Sequence, residues 1–165
     1  FGRIWLGYQP NHATTKPEQQ PKPQRGGTGS VPLVTWQQNY SVNVDMLDRQ
    51  HQKLIDLINE LHSAMAGGQG RAVLGNVLAG LGEYTRVHFA TEENYMQKYG
   101  YPGYEQHQTQ HQFFVNKLDQ FRQDFAAGRF TVTQDVLSFL RDWLINHIKG
   151  SDKAYSRFFN EKGLH

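Results

Sequence analysis

The sequence predicts an all-α fold, an antiparallel up-down-up-down four-helix bundle with an extended N-terminal tail. Three observations predict it. Four segments carry apolar residues at three- and four-residue spacing, the period of an amphipathic helix packed on one side. The connections between them are short and contain glycine, which favours antiparallel neighbours. Ahead of them, residues 9–32 hold five of the six prolines among Gln, Lys, Gly and Ser, a composition too poor in apolar side chains to order itself.

At 165 residues the chain has room for one domain and a tail. Residues 1–33 are expected to be an N-terminal segment and linker, and residues 34–165 the bundle. The chain begins at Phe1 rather than Met, which is read as an excised or processed fragment. Lys plus Arg total 17 against 15 for Asp plus Glu, a net +2. Such a balance, with its charges interspersed, excludes a nucleic-acid footprint. The absence of cysteine removes disulfides, thiolate metal sites and cysteine nucleophiles together. No apolar run approaches the roughly 18 residues a membrane span needs, and no signal pattern opens the chain.

The first helix is expected from about Asp45 to Ala66, with Leu47, Leu54, Ile58, Leu61 and Met65 on one side and a stop at Gly67-Gly68. The second, from about Arg71 to Tyr99, carries Leu74, Leu78, Leu81, Tyr84, Tyr95 and Tyr99. Gly100 suits a left-handed C-terminal cap, and Pro102 suits the first turn of the next helix. That third helix, from about Pro102 to Ala127, shows Phe114, Leu118, Phe121 and Phe125 before Gly128. The fourth, from about Thr133 to Asn160, shows Val136, Leu140, Leu144, Tyr155 and Phe158.

Extending each apolar stripe by the same steps lands on polar residues. His51 falls between Leu47 and Leu54, and His88 and Glu92 fall between Tyr84 and Tyr95. His107 and His111 precede Phe114, and His147 and Asp152 continue the row of Leu140 and Leu144. A lone inward histidine is more often a satisfied core residue than a ligand. Five of them with two acids, spread over four helices, need a shared partner, because each unpaired buried polar group costs a few kcal/mol. A metal centre supplies one.

The donor set narrows the metal. Zinc takes four ligands as a rule, and seven candidates exceed one ion's needs. Calcium and magnesium prefer all-oxygen shells. Imidazole with carboxylate suits iron, and carboxylates can bridge two ions. The Glu-x-x-His pair of ferritin-type sites is absent.

These residues carry a resemblance. His51 in DRQHQKLIDLIN, His88 and Glu92 in HFATEE, the pair in HQTQH, His147 and Asp152 in WLINHIKGSD, and the GYP turn resemble the hemerythrin family, specifically its bacterial branch. The likeness covers roughly residues 34–160, and the up-down topology follows from it as well as from the loops. It implies two iron ions (Fe2+/Fe3+) with an oxo or hydroxo bridge. His107, His111 and His147 would hold one, His51 and His88 the other, and Glu92 and Asp152 would bridge both. The second ion would be one ligand short of six, and dioxygen would bind there reversibly.

Phe89, Trp143, Leu144 and Ile148 neighbour the ligand positions and form the expected ligand pocket, with Leu144 as its gate; ordinary core packing is the alternative for Phe89 and Trp143. Asp48 and Tyr155 are candidates for hydrogen bonds to ligands. His62 matches no family ligand and is read as a partnered residue at the bundle end, while His12 and His165 are read as solvated. His147 and Asp152 are five apart, about 140° on a regular helix, so a local distortion such as a π-type bulge near Gly150-Ser151, or a long bridging reach from the adjacent row, is expected.

The expected function is reversible dioxygen binding, used for oxygen sensing through an upstream signalling domain, since bacterial modules of this kind occur on chemoreceptors. An oxygen carrier or store is the alternative. An enzyme acting on peroxide or nitric oxide is a minor one, since no further acid or base stands out near the ligands. The chain is expected to be cytoplasmic, with tethering to a membrane-bound receptor left open, and to contact no membrane itself.

Overall fold

The computed structural model describes residues 31–165. Most of the expected tail, His12 included, lies outside the described residues. A short 3-10 turn, Gln38–Tyr40, leads into α1 (Asp45–Ala66), α2 (Gly70–Tyr99), α3 (Tyr104–Ala126) and α4 (Val132–Trp143). The chain then continues without a break through a π-helical segment, Leu144–Asp152, into α5 (Lys153–Glu161). Counted as rods, this is the expected four-helix bundle. Among the described residues no helix is long and apolar enough to cross a membrane.

The ends follow from local chemistry. Asp45 and Asp48 sit in the first turn of α1, where the helix dipole favours negative charge. α2 ends at Gly100, left-handed at φ 68° and ψ 46°. There the Tyr101 N–H donates back to the Met96 carbonyl, closing a Schellman cap. Gly68 (φ 73°) and Gly128 (φ 77°) terminate the two other turns. Pro102 does not open the third helix as expected. The chain spends Tyr101 to Gly103 turning, and α3 begins at Tyr104, with Gly103 accepting from His107 N–H.

The expected distortion of the last rod is present but longer, nine residues rather than a local bulge at Gly150-Ser151. A π-helix bonds each residue to the fifth along, so residues five apart share a face as residues four apart do in an α-helix. His147 and Asp152 are therefore both buried. The extra residue also advances the register beyond it. Phe159, not Phe158, is fully buried in α5.

The core has two apolar clusters. The larger joins Leu54, Ile58 and Leu61 to Leu74, Leu81, Phe114, Leu118, Val136, Leu140 and Leu144. The smaller joins Val42, Val44, Leu47, Met96, Tyr155 and Phe159. Burying each such side chain contributes about 1.5–3 kcal/mol. Along every rod the inward polar residues fall between the two clusters: His51 between Leu47 and Leu54, His88 and Glu92 between Leu81 and Met96. The polar layer is sealed by apolar packing on both sides.

Candidate metal centre

Seven side chains form that layer: His51 from α1, His88 and Glu92 from α2, His107 and His111 from α3, and His147 and Asp152 from the π segment. None is more than 3 % exposed. Their donor atoms fall into two groups, Glu92 with His107, His111 and His147, and His51 with His88, Glu92 and Asp152, with the atoms of each group within 4.8 Å of one another.

Both carboxylates divide their oxygens between the groups. Glu92 Oε2 lies 3.0 Å from His111 Nε2 and 3.2 Å from His107 Nε2, and Oε1 faces His88 Nε2 at 3.5 Å. Asp152 Oδ1 lies 3.0 Å from His147 Nε2 and 3.4 Å from His107 Nε2, and Oδ2 faces His51 Nε2 at 3.2 Å. Every imidazole thus turns its Nε2 inward.

The opposite ring nitrogens of three of them are held from outside. His88 Nδ1 bonds Gln50 Oε1 at 2.9 Å, His111 Nδ1 bonds Glu93 Oε1 at 2.9 Å, and His147 Nδ1 bonds Gln110 Oε1 at 2.7 Å. An amide or carboxylate oxygen only accepts, so Nδ1 carries the proton and Nε2 keeps its lone pair. Each acceptor sits next to an inward residue in sequence and reaches across to the following helix: Gln50 beside His51 serves α2, Glu93 beside Glu92 serves α3, and Gln110 beside His111 serves the π segment. Sequence reasoning missed all three. Their adjacency to the inward positions was the available signal, and Glu93 is the nearby acid that reading had not found.

Whether these residues fit a metal is decided by what they leave unsatisfied. Nε2 of His51, His88, His111 and His147 and both oxygens of Asp152 are buried without a hydrogen-bond partner. Each such atom costs about 1–3 kcal/mol if left so. All are lone-pair atoms aimed at a common centre, the arrangement cations satisfy. The set of five nitrogens and two carboxylates, in two groups sharing Glu92, fits two ions of intermediate hardness.

The electrostatics agree. Burial holds the His88 imidazole down at about 3, so it is a neutral donor. Burial would also lower His51 and His111, but bonds and charge from Asp152 and Glu92 outweigh it and raise both. Burial would raise Glu92 and Asp152. The surrounding imidazoles reverse that, leaving Glu92 well below the usual carboxylate range and Asp152 at about 2. Both acids are therefore anions, turned toward the same centre as the imidazole nitrogens.

Tyr155 donates a hydrogen bond to Glu92 Oε1, as expected of it. Asp48 does not touch the inward residues. Its carboxylate accepts from Ser41 Oγ at 2.5 Å and from Val42 N–H at 2.8 Å, pinning the arm that precedes α1. His62 is half-buried, outside both groups, and His165 is exposed. The expected pocket residues are all buried: Phe89 stacks on His111 at 3.8 Å and Trp143 on His147 at 3.9 Å, while Leu144 and Ile148 belong to the larger core cluster. A groove of about 800 Å³ between α2 and α3 has Phe89 and His111 in its wall, beside half-exposed Phe113.

The family model described as the hemerythrin HHE cation binding domain matches residues 42–158. A bacteriohemerythrin of Stenotrophomonas maltophilia is 36% identical over 124 residues, which cover 75% of this chain and 80% of that one. Another from Methylococcus capsulatus is 39% identical over 124 residues, covering 74% and 94%. The crystal structure of a wild-type hemerythrin superposes with a TM-score of 0.68 at 38% identity, covering 76% of this chain and 96% of its own. A match across the whole bundle, with relatives at this level of identity, means that the chain belongs to the hemerythrin family.

Proposed function

We propose that residues 34–165 form a module that binds dioxygen reversibly at two iron ions. His107, His111 and His147 would hold one iron and His51 and His88 the other, with Glu92 and Asp152 shared between the two. The observation that carries this reading is the division of each carboxylate between the two imidazole groups, which suits a bridge and no single-ion site. When bound, such an iron pair supplies electrons that dioxygen takes up and gives back, at the ion left one ligand short.

The chain's own residues govern the rest. Gln50, Glu93 and Gln110 fix three imidazoles with Nε2 inward. Phe89, Trp143, Leu144 and Ile148 surround the centre with apolar surface and keep out the water and protons that would turn reversible binding into oxidation of the iron. Leu144 is the gate.

The use we propose is oxygen sensing for an upstream signalling domain joined through residues 1–33. What supports it is the linker composition of that stretch and the start of the family match at residue 42. A carrier or store would use the same site without a partner.

The test is metal content per chain with the visible spectrum, recorded anaerobically after reduction and again in air. Two irons and a colour change that reverses when oxygen is removed are expected. One metal or none, or rapid decay of the oxygenated colour with product formation, overturns reversible binding.

A further inference from the structure

Tyr84 lies one turn before His88 on α2, and its ring stacks on the His88 imidazole with centroids 4.9 Å apart and planes 24° apart. Side chains four residues apart on a helix leave it in the same direction. The Tyr84 phenol therefore runs alongside the inward-facing His88 imidazole. The residue is 2 % exposed, and its hydroxyl is buried without a hydrogen-bond partner.

The two phenylalanines beside it offer that hydroxyl nothing. Tyr84 meets Phe89 edge-on at 5.9 Å and Phe114 at 6.4 Å, both apolar. A phenylalanine would fill the same space without the cost of stripping water from a hydroxyl. The buried donor therefore lies on the His51 and His88 side of the layer, among the pocket residues, with no acceptor supplied by the protein.

We infer that Tyr84 is a positioning and specificity-determining residue: its hydroxyl donates a hydrogen bond to the small ligand taken up on the His51 and His88 side of the centre. This rests on the iron-pair reading above. The pocket is then apolar with a single directed donor. It favours small ligands whose free end accepts a hydrogen bond once they are bound, inorganic anions among them.

The test compares the unsubstituted protein with Tyr84→Phe, both loaded with ferric iron, using azide as the probe. Iron per chain and thermal midpoint are measured first, then the azide dissociation constant by optical titration. The expected result is two irons in both proteins, a midpoint no lower in the variant, and azide binding about tenfold weaker, equivalent to about 1.4 kcal/mol. In the unsubstituted protein the vibration of bound azide should shift between H2O and D2O, and in Tyr84→Phe it should not, a signature a purely structural role would not produce. Two irons in both proteins with equal azide affinities, or no isotope shift in the unsubstituted protein, overturns the role of Tyr84 alone. Failure of the unsubstituted chain to take up two irons overturns the iron-pair reading and this inference with it.

Discussion

Replacing Tyr155 by Phe isolates one hydrogen bond at the heart of the centre. The ring is fully buried and packs against Phe159 at 4.6 Å and His107 at 5.6 Å, contacts that Phe retains. What disappears is the hydroxyl donated to Glu92 Oε1, an anion with no water around it. A hydrogen bond to a charged group contributes about 1.5–3 kcal/mol, which at about 1.4 kcal/mol per tenfold is roughly 10- to 100-fold in metal affinity. Losses of that size are usual when a partner of a metal ligand is removed. Oε1 is the oxygen that faces His88, so the ion on the His51 and His88 side should be weakened first. The assay is iron retained per chain against increasing chelator, for Tyr155→Phe, the unsubstituted protein and Tyr95→Phe, a change on the outside of the same end of the bundle. The expected outcome is one iron released early by Tyr155→Phe and by neither comparison protein. Two irons leaving Tyr155→Phe together, at the unsubstituted chelator concentration, would refute the reasoning.

Glu92→Ala or His147→Ala should lose at least one iron, and two irons per chain by metal analysis would overturn the assignment of both as ligands. Gln110→Leu strips the acceptor from His147 Nδ1 and from Ser151 Oγ; chelator competition should show roughly 10- to 100-fold weaker metal retention. Leu144→Ala removes a side chain that is 1 % exposed in the larger core cluster. Denaturation should register a loss of about 2–5 kcal/mol, with faster oxidation of the oxygenated form, and an unchanged oxidation rate would remove Leu144 from the gate. Gly100→Ala meets no atom within 4 Å but must hold φ 68°, so it should cost about 1–2 kcal/mol of stability and leave metal content as it was.

Much of the bundle was legible because helical period and glycine punctuation are local. α1 runs from Asp45 to Ala66 as the stripe and the Gly67-Gly68 stop require, and Gly100 is left-handed as its place before Pro102 implies. The inward histidines were legible for the same reason, since a polar residue inside an apolar stripe is visible without knowing what it faces. Departures begin where the period changes. The π segment's length follows from packing around a shared centre, and its extra residue put Phe159 inward in place of Phe158. In α2 the buried residue near the end is Met96, while Tyr95 and Tyr99 are half-buried.

By itself, then, the sequence determined four amphipathic helices, their ends, and a layer of seven inward donors whose types suit iron, because each rests on residues within a turn or two of one another. Only the tertiary structure decided which oxygen of Glu92 and Asp152 faces which imidazole. Only it showed that Gln50, Glu93 and Gln110 each hold an inward histidine on the next helix, that Asp48 holds the arm instead of the centre, and that the Tyr84 hydroxyl is left without a partner. Most of those relations join separate elements, some as far apart in the chain as His51 and Asp152, and no period along one stretch of sequence encodes them.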